Sequence, residues 1–122
     1  MRRMAITIIC LLAVAVVAWP RPTLCVSMSI VTVTAYHHCH GSRGITASGQ
    51  RVQRGVIAVS LDLERNLNLG FGDRVLLHGM GVFEFQDRMA SRWHKKVDVY
   101  LDSQPKARRF GVKHYVVLVK LV

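Results

Sequence analysis

Two strand-like runs form the most regular part of this chain: Val82-Phe83-Glu84-Phe85-Gln86-Asp87-Arg88-Met89 and, after a short basic connector, Lys96-Val97-Asp98-Val99-Tyr100-Leu101. They are rich in β-branched and aromatic residues, which favour strands. Because successive side chains of a strand point to opposite faces, we expect Phe83, Phe85 and Asp87 to share one face. In the second run the apolar residues share a face, and Asp98 and Tyr100 take the other.

The two aspartates, Asp87 and Asp98, are the first candidate site residues. An acid in line with two phenylalanines is unusual, because burying a carboxylate costs free energy unless it is paired or protonated. One interpretation is a pair of carboxylates in different environments that divide acid–base work between them. The other is two solvated surface groups. Strand alternation alone does not show whether the two side chains meet.

The N-terminus has the pattern of an export signal. Met1-Arg2-Arg3-Met4 is followed by a run from Ile6 to Trp19 that is apolar throughout except for Thr7. A basic start and an apolar core of this length predict a secretory signal over residues 1–18, with cleavage after Val16-Val17-Ala18. An uncleaved signal anchor stays open as an alternative, although the run is short for a membrane span. We therefore expect an exported protein, periplasmic, associated with the cell envelope or secreted.

The charge of the chain predicts a polyanionic partner. The 122 residues have a formal net charge of +10 and are long enough for one domain. Removing residues 1–18 takes two arginines and no acids, which leaves 15 basic and 7 acidic residues and a net charge of +8. Cell-wall polymer and anionic lipid both suit a basic exported domain. Export argues against nucleic acid, and we expect a monomer.

Cysteine and histidine residues raise two further questions. Cys25 and Cys39 would both remain after signal cleavage, and in an oxidising compartment a disulfide between them is open. His37-His38-Cys39-His40 suggests a metal site, but ligands of one tetrahedral zinc are usually separated by two to four residues. We therefore predict a polar loop beside a cleft, with no metal ligands and no cofactor, and keep metal binding as a lesser alternative.

The rest of the chain reads as short strands with two small helices. Residues 19–29 have the composition of a linker, and we expect the folded domain to cover residues 30–122. Ser60 and Ser103 are expected to cap the two helices, the second of which contains Pro105 and stops at Gly111. The other predicted elements are strands over 30–36, 56–59, 74–77 and 115–122, a first helix over 61–67, and a reversal over 79–81. This pattern predicts a mainly β protein, a compact six-stranded barrel with one or two short helices.

The order of several short motifs resembles that of a known family. The motifs are Thr34-Ala35-Tyr36, Gly44-Ile45-Thr46-Ala47-Ser48-Gly49, Gly55-Val56-Ile57-Ala58-Val59-Ser60, Leu69-Gly70, Gly79-Met80-Gly81-Val82, Asp87, Val97-Asp98-Val99-Tyr100 and Phe110-Gly111-Val112. Together they resemble the 3D domain family, named for three aspartates. That family has the double-psi β-barrel of membrane-bound lytic transglycosylase A and is related to rare lipoprotein A and the expansins. The resemblance covers residues from about 31 to 121.

The resemblance implies a site. Asp98 aligns with the catalytic acid/base of the transglycosylases, and Asp87 with a second acid in the same cleft. Thr46 and Tyr36 match family positions near the cleft, so they are candidate sugar-binding residues. Trp93 is a further candidate, because an indole ring can stack on a glycan.

The chain departs from the family pattern in three places. Ser60 occupies the place of the third aspartate, with Asp62 two positions on. Arg88-Met89 replaces the Thr-Gly that follows the cleft aspartate, and the segment Arg92-Trp93-His94-Lys95-Lys96 replaces a connector that contains glycine.

The resemblance implies an exported enzyme that cleaves peptidoglycan, a lytic transglycosylase. Such an enzyme cleaves after N-acetylmuramic acid and closes the 6-hydroxyl of that sugar onto C1, so one carboxyl, here Asp98, first donates and then accepts a proton. The alternative is a non-catalytic wall-binding module in the manner of the expansins, with the same groove and no cleavage. The lesser alternative is a metal-binding protein built on His37-His38-Cys39-His40. Peptidoglycan is the expected partner, and the membrane is a further one if the N-terminal segment is not cleaved.

Overall fold

The computed structural model describes residues 20, 26–38 and 44–121. Its helices and strands, numbered here in chain order, are β1 (Met28–Tyr36), β2 (Val56–Val59), α1 (Leu61–Asn66), β3 (Arg74–Leu77), β4 (Gly81–Arg88), β5 (Lys96–Tyr100), α2 (Gln104–Phe110) and β6 (Lys113–Lys120). The predicted signal over 1–18 lies outside the described residues, and so do Cys25 and Cys39, whose pairing the sequence leaves open. Among the described residues, no helix has both the length and the apolar character that a membrane crossing requires.

The six strands close into one barrel, which confirms the mainly β, six-stranded prediction. Their order around the barrel is β1-β5-β2-β4-β3-β6. Strand β1 runs parallel to β5, and β2 runs parallel to β4, whereas the other four pairs are antiparallel. Two parallel strands cannot be joined by a hairpin, because both run in the same direction. Each of the two parallel pairs therefore requires a connection that crosses the barrel.

The barrel consists of two interlocked halves with the same topology. The first half has the order β1-β2-α1-β3 and the second has β4-β5-α2-β6. Exchanging the halves maps β1 with β5 onto β4 with β2, and β1 with β6 onto β4 with β3, whereas the pairs β2 with β5 and β3 with β6 map onto themselves. The sequence contains no visible internal repeat, so only the topology shows this relation. Strands β2 and β5 meet at the centre, where each is the middle strand of its half.

The barrel interior is filled by aliphatic side chains and one phenylalanine. Val97 and Val99 of β5 are buried and Asp98 between them is not, which confirms the predicted alternation. The core cluster is Val31, Val33, Ile57, Val59, Leu63, Leu67, Leu69, Val75, Leu77, Phe85, Val97, Val99, Val116 and Leu118. Among the described residues, every strand and every core residue falls between Met28 and Lys120. We therefore expect residues 26–122 to fold as one unit.

Both helices form where capping residues predict them, with one correction. Ser103 accepts a hydrogen bond from the Lys106 amide, and Gly111 ends α2, as expected. Ser60 stands at the N-cap position of α1, but its side chain makes no capping hydrogen bond. The hydroxyl instead accepts a hydrogen bond from the Lys96 amide of β5, at 3.1 Å.

Two strand boundaries also differ from those expected. The first strand begins at Met28 rather than Ile30, because residues 28–31 pair with β6. That pairing extends the strand into the segment predicted to be a linker. The last strand covers Lys113–Lys120 rather than residues 115–122, because its first residues pair with β1 and its last residues pair with β3.

Candidate active site

A β-bulge in β4 places Asp87 on the outer face of the barrel. Ile57 lies opposite Phe85, but the next residue of β2, Ala58, lies opposite Asp87, so Gln86 is the extra residue. The prediction that Asp87 shares a face with Phe83 and Phe85 was therefore wrong. The inserted residue reverses the alternation, so that Phe85 enters the core and Asp87 leaves it.

The same bulge brings the two aspartates onto one face. Ala58 of β2 lies opposite Asp87 on one side and Asp98 on the other. Thr34 of β1 lies opposite Asp98 in turn. Directly opposed residues point to the same face of a sheet, so these four form one row across four strands. The Cα atoms of Asp87 and Asp98 are two strand spacings apart, or about 10 Å.

A groove of about 190 Å³ lies over this row. Both aspartates line it, together with Tyr36 of β1 and Trp93 of the β4–β5 connector. The complete lining is Tyr36, Ala58, Asp87, Arg88, Met89, Ala90, Trp93 and Asp98. The structure thus brings together four of the five predicted site residues. The small Ala58 side chain leaves the floor open between the two carboxylates.

Asp98 is held by a threonine from the neighbouring strand. The hydroxyl of Thr34 donates a hydrogen bond to Oδ1 of Asp98. Both side chains are part-buried and lie in register on parallel strands, so the barrel itself sets their orientation. The bond fixes one carboxyl oxygen and leaves Oδ2 available to a ligand in the groove.

Asp87 is held by backbone amides. Its Oδ1 accepts hydrogen bonds from the amides of Ala47 and Arg88, both at 2.9 Å. The loop that carries Ala47 also donates from the Ser48 amide to the Gln86 carbonyl at 3.0 Å. The loop before β2 is therefore docked on the bulge, and its position depends on the Asp87 carboxylate.

Tyr36 lines the groove with a side chain whose hydroxyl is buried. Within the described part of the chain, this buried oxygen has no hydrogen-bond partner. Burial raises the pKa of Tyr36 above its usual value, and the nearby charges of Asp87 and Asp98 raise it further. The ring packs edge-on against Tyr100 with centroids 5.6 Å apart, so the hydroxyl is fixed in place as a protonated donor. A buried polar group without a partner is costly, so this oxygen is a candidate for contact with a ligand in the groove.

Trp93 forms one wall of the groove and carries two cations. Lys96 Nζ lies 3.7 Å from the centroid of the indole ring, and the Arg92 guanidinium lies 5.1 Å away. The side chain is 37% exposed, so part of the ring remains available for stacking. An aromatic ring beside cations suits a sugar that carries carboxylates.

Ser60 and Asp62 hold the connector that carries Trp93. The Lys95 amide donates to Asp62 Oδ2 at 2.9 Å, next to the bond from Lys96 to Ser60. Lys95 has a positive φ of 46°, a strained conformation for a lysine that the Asp62 contact stabilises. Ser60 and Asp62 thus position this wall of the groove.

We expect Asp62→Asn to lower the free energy of unfolding by about 1 kcal/mol near neutral pH. Burial raises the pKa of Asp62, but hydrogen bonds from the Ser60 hydroxyl and the Lys95 amide lower it by more, so the net shift is downward. A carboxyl with a lowered pKa in the folded protein stabilises the fold above its unfolded pKa, near 4. That contribution is lost as the pH falls through the folded pKa. Urea unfolding from pH 7 to pH 3 should therefore show the difference between wild type and variant shrinking below pH 4, and a difference that stays constant would contradict this role.

Arg88, which follows Asp87, is turned toward helix α1. Its guanidinium donates to both carboxylate oxygens of Glu64, with Nη2 at 2.8 Å from Oε1 and Nε at 2.8 Å from Oε2. It also lies over the Phe71 ring, 4.5 Å from the centroid. The Arg88 guanidinium is thus paired with Glu64 rather than with Asp87 or Asp98, and it does not lie on the groove floor between the two aspartates.

Thr46 is placed differently from the other predicted residues. It is buried, and its hydroxyl contacts the Gln50 carbonyl at 2.9 Å and the Ser48 hydroxyl at 2.8 Å within its own turn. It does not line the groove. Its contribution to the site passes through the neighbouring Ala47 amide, which holds Asp87.

The histidine-rich loop is only partly described. His38 stacks on Tyr100 with ring centroids 6.0 Å apart, whereas Cys39 and His40 lie outside the described residues. Within 26–38 and 44–121, no three histidine, cysteine, aspartate or glutamate residues gather closely enough to hold a metal ion.

Two residues that hold the aspartates in place, Thr34 and Ala47, were not predicted from the sequence as site residues. Thr34 was noted only as part of a motif, although its spacing from Tyr36 on a strand places both on one face. Ala47 acts through its backbone, for which the sequence has no signal. Comparison with protein-family models and with curated proteins finds no match to this chain.

Proposed function

We propose that this protein is an exported enzyme that cleaves the glycan strands of peptidoglycan as a lytic transglycosylase, with Asp98 as the general acid and base. One observation carries the proposal: Asp98, hydrogen-bonded to Thr34, shares a row and a groove with Asp87, and Tyr36, whose buried hydroxyl has no partner in the described part of the chain, lines the same groove. The order of sequence motifs shared with the 3D domain family supports the same assignment.

The proposed reaction needs one carboxyl that works twice. The Asp98 carboxyl donates its proton to the glycosidic oxygen as the bond from that oxygen to C1 of N-acetylmuramic acid breaks. The 6-hydroxyl of the same sugar then attacks C1, and the Asp98 carboxylate accepts the proton that the hydroxyl loses. The product is a 1,6-anhydro sugar, and no water is consumed. The bond from Thr34 holds one oxygen, so that the other faces the substrate.

The remaining groove residues bind and orient the sugar. The Tyr36 hydroxyl donates to a sugar oxygen, which gives this buried group the partner that it otherwise lacks. Asp87 lies on the far side of Ala58 and supplies a negative charge near the oxocarbenium-like transition state. Trp93 stacks on the sugar ring, and the excess of basic residues favours association with the anionic wall.

A digest of purified peptidoglycan with residues 26–122, followed by mass spectrometry, tests the proposal. We expect muropeptides that end in 1,6-anhydro sugar, about 18 mass units lighter than hydrolysed products because no water is added. Ordinary reducing ends would instead indicate a hydrolase and overturn the transglycosylase assignment. Intact glycan with bound protein would favour a binding module.

We expect Tyr36→Phe to separate binding from stability. The variant removes a buried hydroxyl without a partner in the described residues, so the free energy of unfolding should stay unchanged or rise by about 1 kcal/mol. Glycan binding should weaken about tenfold, because a site that hydrogen-bonds its ligand loses that bond. Thermal unfolding and binding to soluble glycan fragments measure the two effects. A clear loss of stability would show that the hydroxyl serves the fold instead.

The second candidate function is a non-catalytic wall-binding module like the expansins. The observation that favours it is the exposed part of the Trp93 ring beside Lys96, since stacking and charge bind a glycan without any chemistry. This candidate predicts that the protein binds peptidoglycan, releases no fragment, and loses affinity when Trp93 is replaced by alanine.

A further inference from the structure

The outer face of β1 and β6 carries an apolar strip away from the groove. Met28 and Ile30 alternate outward along β1 and are 57% and 59% exposed. Their register partners on β6 are Val119 and Val117, which are partly exposed and alternate with the buried Leu118 and Val116. Val26, 56% exposed, precedes the strand. Isolated exposed apolar residues are normal, but a contiguous row of them marks an interaction surface.

Tyr115 extends this strip and is held in a strained conformation. One residue of β1, Thr32, lies opposite two residues of β6, His114 and Tyr115, so β6 has a bulge here. Tyr115 has a φ of 57°, which is unfavourable for a bulky residue, and its side chain is 88% exposed. The ring contacts that of His114, with centroids 6.2 Å apart, but at this exposure it packs little against the barrel to offset the strain. A strained, fully exposed aromatic residue points to a function outside the fold.

A shallow cavity beside the strip combines apolar walls with a lysine and a histidine. It has a volume of about 360 Å³ and is lined by Ile30, Val31, Thr32, His94, Lys95 and Tyr115. None of the seven acidic residues of the chain lines it. The ligand that suits this cavity is therefore one in which an anionic group is joined to an apolar part.

The strip also begins close to the apolar N-terminal segment. The apolar run of the sequence ends at Trp19, seven residues before Val26. Whether or not that segment is later removed, export brings the start of β1 close to a membrane. The position of the strip along the chain, its exposed apolar residues and the charge beside it therefore all indicate a membrane as the partner.

We propose that the strip, defined as Val26, Met28, Ile30, Tyr115, Val117 and Val119, docks the barrel onto the surface of an anionic lipid bilayer. Tyr115 and Ile30 enter the interface between headgroups and acyl chains, where amphipathic aromatic rings are favoured. Lys95 and His94, at the edge of the cavity, face the lipid phosphates. A hydrated wall polymer would not account for the exposed aliphatic residues.

Docking through the strip places the groove close to the bilayer. Ile30 and Thr34 are four residues apart on β1, or about 13 Å along the strand. The row of Thr34 and Asp98 therefore lies within about 20 Å of the bilayer surface when the strip is docked. The docking does not depend on whether the groove cleaves or only binds glycan.

Sedimentation of residues 26–122 with lipid vesicles tests the proposal. One vesicle population contains phosphatidylcholine with about a third phosphatidylglycerol, and the other contains phosphatidylcholine alone. The test variant is Ile30→Thr with Tyr115→Asn, because threonine suits a strand and asparagine tolerates positive φ, so that the fold is retained. The control is Val82→Thr, since Val82 is 50% exposed but lies on β4.

We expect the wild-type chain and the control to bind the anionic vesicles, and the double variant to bind at least about tenfold more weakly. Binding of the wild type to neutral vesicles should also be weaker, and high salt should reduce binding to the anionic ones. Thermal unfolding verifies that all three chains are folded. Equal binding of the double variant would attribute association to general basic charge and overturn the proposal. A dimer that the double variant disrupts, without vesicle binding by the wild type, would also overturn it and assign the strip to a second copy of the chain.

Discussion

Replacing Asp98 with asparagine should abolish formation of 1,6-anhydro products, with a rate at least about 10³-fold below wild type. Asparagine has nearly the same shape as aspartate, and its carbonyl oxygen can still accept the hydrogen bond from Thr34. It cannot, however, donate a proton to the glycosidic oxygen or accept one from the 6-hydroxyl. The effect should therefore appear in cleavage and leave binding to peptidoglycan largely unchanged.

The control for this experiment is Asp102→Asn. Asp102 is exposed, pairs with Lys106 at 3.0 Å and lies outside the groove, so its loss should leave cleavage at the wild-type rate. Cleavage is measured by mass spectrometry of the released muropeptides, and binding by co-sedimentation with insoluble wall. Full lytic activity of Asp98→Asn would remove this residue from the catalytic role. Equal losses of cleavage in both variants would show that the assay reports general charge.

Local patterns in the sequence predicted most of the fold. Alternation placed Val97 and Val99 in the core and Asp98 outside it, because β5 is regular along its whole length. Serine, proline and glycine at the ends of α2 predicted that helix correctly, because these residues act on the backbone next to them. The closed barrel followed from the number and shortness of the strands.

The bulge at Gln86 could not be predicted in the same way. The bulge depends on how β4 pairs with β2, which lies about 30 positions earlier in the chain. The residue pattern of one strand does not determine which residues of its partner lie opposite it. Without the bulge, Asp87 would follow Phe83 and Phe85 into the core. The sequence therefore identified both carboxylates but assigned the wrong face to one of them.

The hydrogen-bond partners of the site were beyond sequence reasoning for a related reason. Thr34 and Asp98 are 64 positions apart, and they meet only because β1 and β5 are parallel neighbours in register. Asp62 was noted for its position after Ser60, but its contact with the Lys95 amide requires the connector to fold back onto α1. The contacts that arrange the groove are thus set by topology rather than by local pattern.

Phe85→Ala should lower the free energy of unfolding by about 3–5 kcal/mol, because the change leaves a large cavity in a closed core. Phe85 is fully buried and lies next to the bulge that carries Asp87 outward. Its backbone accepts a bond from Gly72 at 2.8 Å and donates one to Asp73 at 2.9 Å, which tie β4 to the turn before β3. The surrounding backbone is therefore held on both sides, so it cannot collapse to fill the cavity. Thermal unfolding should show a midpoint lower by about 15 °C or more.

Phe71→Ala is the matched control, because the two rings are neighbours with different burial. Their centroids are 5.1 Å apart, but Phe71 is 39% exposed and covers Phe85 from the solvent side. Its loss should cost about 1 kcal/mol, since a half-exposed ring leaves a gap that water can fill. If the two variants were equally stable, Phe85 would not be the central core residue of β4. Cleavage should also be measured below the unfolding transition of Phe85→Ala. A wild-type rate there would show that the bulge holds Asp87 in place without the packing of the Phe85 ring.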